Sequence, residues 1–211
     1  MPGCGNISFF ADNGNYTLKL FANDTYGQLS MTQTSITIND YETFALASGW
    51  NLISIPRNIS NWSIESALSS IWSNLEIVWG YNATSGSWLS YDPDIPAQLN
   101  SLRVLEPGKG YWVELTSQSY LALNASVFNP QNKVSFESGW NLLGFPANSS
   151  VRVNNSVNGL DLNIVWGYDA LAADGFEWAS YTPGIPINSL NYFNLTKGYW
   201  FRANTAGNWT V

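Results

Sequence analysis

The first stretch of the chain alternates apolar and polar positions. Tyr16-Thr17-Leu18-Lys19-Leu20-Phe21-Ala22 and Ser35-Ile36-Thr37-Ile38 both run with period two, and Asn13-Gly14 and Tyr26-Gly27 stand where turns are needed. Period two sends successive side chains to opposite faces, so residues 1–46 predict two or three strands. Beyond them the apolar runs shorten. Residues 50–55 predict a short buried strand, stopped by Pro56. The period then changes. Apolar residues at Ile64, Ala67, Leu68 and Ile71 lie on one helical face, Ser63 is placed to cap it, and Glu65 suits the first turn. Residues 77–81 and 87–91 predict a hairpin around Thr84-Ser85-Gly86, and residues 110–115 and 120–123 predict two further strands.

The whole pattern then occurs a second time. Ser48-Gly49-Trp50-Asn51-Leu52-Ile53 returns as Ser138-Gly139-Trp140-Asn141-Leu142-Leu143, and Pro56 returns as Pro146. Ile77-Val78-Trp79-Gly80-Tyr81 returns as Ile164-Val165-Trp166-Gly167-Tyr168, and Trp88 and Tyr91 return as Trp178 and Tyr181. Ile95-Pro96 matches Ile185-Pro186, and Lys109-Gly110-Tyr111-Trp112 matches Lys197-Gly198-Tyr199-Trp200. A repeat of this kind fixes the architecture before any residue is given a role. The expected fold is mainly β: a partial immunoglobulin-like strand set in residues 1–46, then two tandem copies of a small β-rich module, 47–129 and 130–211. The first copy carries a short helix. The second has Val and Asn where that helix falls, so its helix should be shorter or absent.

Two resemblances follow from these residues. The segment Gly14-Asn15-Tyr16-Thr17-Leu18-Lys19-Leu20-Phe21-Ala22-Asn23-Asp24-Thr25-Tyr26-Gly27 resembles the last strands of immunoglobulin-like and PKD-like domains of surface proteins. Forty-six residues are too few for such a sandwich, so the segment needs a partner: the repeats, a further domain, or another molecule in a strand exchange. The repeat, which opens Gly-Trp-Asn-Leu and closes Lys-Gly-Tyr-Trp, resembles an extracellular module of archaeal and bacterial cell-surface proteins. That resemblance implies a surface location and a structural or adhesive role, as in an S-layer-associated protein, sheath or filament. It implies no particular ligand.

Charge narrows the partners. The chain carries 15 acidic and 8 basic residues, a net charge of −7, and the basic residues are scattered. Nucleic acid needs a clustered basic footprint, so it is not an expected partner. No run of 18 or more apolar residues occurs, so no membrane insertion is expected. The single cysteine, Cys4, can form no intrachain disulfide and reads as a terminal thiol. Eleven Asn-X-Ser/Thr sequons occur, at Asn6, Asn15, Asn23, Asn58, Asn61, Asn82, Asn124, Asn148, Asn154, Asn194 and Asn208. Composition alone gives about four, so the excess points to an extracellular, glycosylated surface. Expected partners are other surface subunits or copies of the chain itself, with polysaccharide as the alternative.

Catalysis finds little support. There is no histidine, which removes the Ser-His-Asp and Cys-His systems. Paired carboxylates suit glycoside hydrolysis, but Asp92 and Asp94 match Thr182 and Gly184 in the second copy. A site built from Asp92, Asp94 and Glu106 would serve one copy only. The chain is therefore read as non-catalytic and without a cofactor. Calcium, through turn aspartates among Asp12, Asp24, Asp92, Asp94 and Asp174, is the one alternative kept. Lys109 and Lys197 read as turn chemistry. Tryptophan is the remaining signal. Eight of the 11 fall in matched pairs, 50/140, 79/166, 88/178 and 112/200. Such rings either stack on sugars or fill small cores. The matched set is expected in the cores, and the unmatched Trp62, Trp72 and Trp209 are the candidates for sugar stacking.

Overall fold

The computed structural model describes residues 14–38, 41–56, 59, 61–124, 133–147 and 149–210. The chain is mainly β, in antiparallel sheets with very short helices. Strands β1 (Gly14–Asn23) and β2 (Leu29–Ile38) form a hairpin in full ten-residue register. Its turn is held by Asp24, whose Oδ1 accepts the backbone N–H groups of Tyr26 and Gln28. No other described strand pairs with this hairpin.

The first module begins earlier than residue 47. Strand β3 (Tyr41–Leu46) pairs with β8 (Ser119–Asn124), and Leu46 is buried in the module core. Strands β4 (Gly49–Ser54), β5 (Leu75–Asn82), β6 (Ser87–Tyr91) and β7 (Gly110–Leu115) make a four-stranded sheet in the order β4-β7-β5-β6. Helix α1 (Ile64–Ala67) continues into a 3-10 turn, Ser69–Asn74. The helical pattern is met: Ile64, Ala67, Leu68 and Ile71 are all buried, and Ser63 Oγ accepts the N–H of Ser66 at 3.4 Å. The core lies between this sheet, the helical segment and the β3–β8 ribbon.

The second module repeats the plan. Strands β9 (Lys133–Phe136) and β16 (Gly207–Thr210) are its ribbon. Strands β10 (Gly139–Gly144), β12 (Leu162–Tyr168), β13 (Trp178–Tyr181) and β15 (Gly198–Ala203) form a sheet in the order β10-β15-β12-β13. The short pair β11 (Val151–Arg152) and β14 (Tyr192–Phe193) flanks helix α2 (Val153–Ser156). Here the 3-10 turn is missing and aromatic volume replaces it. Trp209 packs on Phe145, Phe193 and Phe201 with ring centroids 4.7–5.8 Å apart. Its position matches Leu121 of the first module.

The repeated motifs now have physical reasons. In Ser-Gly-Trp-Asn the glycine takes a left-handed turn, φ +79° at Gly49 and +90° at Gly139. The buried Asn closes that turn with its amide. Asn51 Oδ1 accepts the N–H of Ala47 while Nδ2 donates to the carbonyls of Ala47 and Gly49, and Asn141 does the same with Glu137 and Gly139. In Gly-Tyr-Trp the tyrosine points to the core, and its phenol oxygen accepts a backbone N–H at 2.7 Å, from Glu106 to Tyr111 and from Asn194 to Tyr199.

Candidate functional site: a tryptophan face between the modules

The strand alternation was legible, but it assigns the faces in the opposite sense to the expectation. The cores take Val78, Tyr111 and Val113 in the first module, and Val165, Tyr199 and Phe201 in the second. The matched tryptophans lie on the other face of each sheet. The reason is the cross-strand register. Trp79 pairs with Trp112, Tyr81 with Trp88, and Trp50 with Glu114, so all of these share one face. The second module repeats the set, with Trp166 opposite Trp200 and Tyr168 opposite Trp178.

These two aromatic faces meet. Trp200 lies 5.1 Å from Tyr81 and 5.5 Å from Trp88, ring centroid to centroid. Reciprocally, Trp112 lies 5.0 Å from Tyr168 and 5.8 Å from Trp178. Each contact recurs with the two modules exchanged, which is the signature of a two-fold, isologous interface. At its centre the backbones touch. The N–H of Ser54 donates to Thr196 O at 2.6 Å, and the matching N–H of Gly144 donates to Gly108 O at 2.9 Å. Leu52 and Leu142 are buried there, outside both module cores. A Cβ on Gly110 would stand 3.0 Å from Leu143 O, and one on Gly198 would stand 2.9 Å from Ile53 O. The glycine of Lys-Gly-Tyr-Trp is thus a close-approach residue, needed in both copies for the same contact.

On either side of this centre the tryptophans are only partly covered. Trp50, Trp88, Trp140 and Trp178 are 38–47% exposed. They line two clefts. One, of about 440 Å³, is walled by Trp50, Trp79, Trp88 and Trp112. The other, of about 610 Å³, is walled by Tyr81, Trp88, Trp140, Trp166, Trp178 and Trp200. Arg202 on β15 stands opposite Trp140 on β10, its guanidinium carbon 5.8 Å from the ring centroid. Glu114 holds the matching place across from Trp50.

Among the unmatched tryptophans the expectation is corrected for Trp209. Trp209 is fully buried, and its indole N–H donates to Ser156 Oγ at 2.8 Å. Trp62 and Trp72 are half-buried against the first core. Of the sequon asparagines, Asn15, Asn23, Asn61, Asn82, Asn154, Asn194 and Asn208 are all exposed. Asn6, Asn58 and Asn148 lie outside the described residues, as does the side chain of Asn124. The buried asparagines Asn51, Asn100 and Asn141 are not in sequons.

Among the described residues the carboxylates do not gather into one group. Asp92 Oδ1 accepts the N–H of Asp94, and Asp174 Oδ1 accepts that of Phe176, so with Asp24 each closes its own turn. Glu106 is exposed and neither it nor the aspartates line a tryptophan cleft. Asp12 lies outside the described residues. Among the described residues no three Cys, Asp or Glu side chains are grouped to hold a metal ion. Lys109 and Lys197 sit where the modules approach, through bridges to Leu143 and Ile53. Lys197 Nζ also contacts Asp169 Oδ1 at 2.7 Å. Burial raises the Asp169 carboxyl, but the hydrogen bond and charge of Lys197 outweigh it, and the net displacement is downward.

Sequence reasoning missed one matched pair, Asn100-Ser101 and Asn188-Ser189. Their side chains accept backbone N–H groups of the edge strands, Ser101 Oγ from Ser90 and Ser189 Oγ from Ser180, both at 2.8 Å. They cover an edge that would otherwise be open to pairing. The signal was present as a repeated Asn-Ser-Leu. No protein family, curated protein or solved structure matches the chain.

Proposed function

We propose that this is a non-catalytic, extracellular surface protein that attaches by carbohydrate recognition, with the tryptophan face between its modules as the binding surface. The observation that carries the reading is the placement of the eight matched tryptophans. They face away from both cores, and four of them stay well exposed in two open clefts. Apolar clefts of this size on a folded protein mark binding surfaces, and flat indole rings suit the apolar faces of sugars. The extracellular setting is supported by the sequons: all seven described sequon side chains are exposed, while the buried asparagines carry none.

The test is retardation in native gels cast with soluble polysaccharides, comparing the chain with its Trp50→Ala/Trp140→Ala double variant. Retardation that the double variant loses, while its far-ultraviolet circular dichroism and cooperative unfolding show both modules still folded, is the expected result. A polysaccharide panel that retards neither protein, or both equally, overturns the reading.

A second reading concerns assembly with other surface subunits or copies of the chain. The β1–β2 hairpin supports it. Both its edges lack a strand partner among the described residues, and Leu18, Leu20, Phe21, Leu29 and Met31 are exposed. Free edges pair by strand addition. Removing residues 14–38 should abolish concentration-dependent growth in light scattering and leave both modules folded. Growth that survives the deletion refutes this route.

A further inference from the structure

The two clefts share four matched tryptophans in their walls, and a residue of opposite charge stands beside each. In the second module Arg202 rests over Trp140. The matching residue of the first module is Glu114, placed across the strand pair from Trp50 as Arg202 is from Trp140. Residues two apart on a strand share a face, so Glu114 stands on the same face as Trp112. Among the described residues Glu114 forms no ion pair. The tryptophan at the rim of each cleft therefore has a charged cross-strand neighbour just outside the wall: a cation seated on the ring of Trp140, and a carboxylate opposite Trp50.

We propose that the first cleft, walled by Trp50, Trp79, Trp88 and Trp112, takes a cationic ammonium group carried by the ligand. It is held by the ring faces, with Glu114 supplying the opposite charge. The internal comparison carries the argument. Arg202 places a cation over the ring of Trp140 at the rim of the second cleft, and at Trp50 the matching cross-strand residue brings a carboxylate in place of a cation. The wall selects among cations. Four indoles bind a cation through the negative faces of their π-systems, most strongly when it is alkylated and weakly hydrated. A primary amine would need several hydrogen-bond acceptors, which an all-indole wall does not offer. A quaternary or trimethylated ammonium is the chemistry that fits. This rests on the reading of the clefts as ligand sites and names the group that one of them recognises.

The test uses choline and its neutral carbon isostere, 3,3-dimethylbutanol, titrated into the full chain at constant ionic strength while indole fluorescence is followed. Choline should give a saturable change. The neutral isostere should bind about tenfold more weakly or worse, a discrimination that reflects charge alone. Glu114→Gln, nearly the same shape, should weaken choline about tenfold and leave the isostere unchanged. Arg202→Glu should add a second choline equivalent at the other cleft. Equal binding of choline and isostere, or choline binding unaffected by Glu114→Gln, overturns the proposal. Polysaccharide retardation without choline binding overturns this proposal alone. Failure of both ligands overturns the ligand-site reading as well.

Discussion

Replacing Gly144 with alanine adds one methyl group at the centre of the two-fold contact. Gly144 has no positive φ, so alanine is free of backbone strain there. On an open strand the change would stabilise the chain by about 0.4–1 kcal/mol, through the entropy of the unfolded state. Here the added Cβ would lie 2.6 Å from Lys109 O and 2.7 Å from Ser54 Cβ, where ordinary contact begins at 3.4 Å. Both obstacles belong to the first module, and one is a backbone carbonyl that no rotamer change removes. The modules must separate by about 0.8 Å or the strand must bend. Overpacking of this kind costs about 1–3 kcal/mol, and loosening the bond from Gly144 N–H to Gly108 O adds about 1 kcal/mol. The net expectation is a loss of about 2 kcal/mol, a fall in Tm of roughly 4–8 °C for a chain of this size. The near-ultraviolet circular dichroism from the tryptophan cluster should fall at the same time. Gly49→Ala is the control: it strains a left-handed turn, and its Cβ would meet nothing within 4 Å. It should cost about 1 kcal/mol and leave the tryptophan signal intact. The sign is decisive. If Gly144→Ala is as stable as the parent or more so, with an unchanged tryptophan signal, the close contact between the modules is wrong.

Four further outcomes follow from the same structure. Trp209→Ala, which empties the aromatic core of the second module, should cost about 3–5 kcal/mol, whereas Trp50→Ala should cost well under half of that in urea denaturation. Asn141→Asp keeps the acceptor but loses both donors and sets a carboxylate against two carbonyls, so a loss of about 2–3 kcal/mol is expected, measured the same way. Burial and the hydrogen bond to Glu65 raise the Tyr91 phenol to about 12. Its stabilisation is complete below the ordinary value of about 10 and is lost as pH rises from there through about 12. Burial likewise raises Tyr111, Tyr199 and Tyr168, so the part of the phenolate absorbance that Tyr111→Phe or Tyr199→Phe removes should appear together with unfolding rather than before it. At the acid end the Tyr91 hydrogen bond holds Glu65 below the usual carboxylate range, so its contribution is present above about pH 4.3 and is lost as pH falls through its lowered value. Tyr91→Phe should flatten both limbs of the urea midpoint against pH.

The repeat, the strand order within each hairpin and the amphipathic Ile64–Ile71 face could be read directly from residue patterns, because each is set by local periodicity. The face of each sheet that becomes core could not. Alternation separates Trp79 and Tyr81 from Val78 and Gly80, but nothing local tells which set meets the helix and which meets the other module. Size pointed the wrong way. The smaller set won because Gly80 and Gly167 make room for the buried rings of Tyr111 and Tyr199, where any Cβ would come within 3.2 Å. Trp209 was misplaced because it compensates for a 3-10 turn missing fifty residues earlier, a relation visible only in three dimensions. The hidden roles of Asn51 and Asn141 had a signal, since a polar residue repeated inside an apolar strand usually satisfies backbone groups.

Two identical modules docked across a true two-fold axis would have to carry the same residue at every matched position. Any charge placed near a tryptophan on one side would appear on the other. Joining the two modules in one chain removes that constraint while keeping the geometry it produced. Positions at the centre, such as Gly110 against Leu143 and Gly198 against Ile53, remain fixed by contact. Positions away from the centre are free to diverge, and Glu114 and Arg202 have done so as far as charge permits. Covalent duplication has here turned a symmetric surface into two clefts that differ in the charge standing beside each.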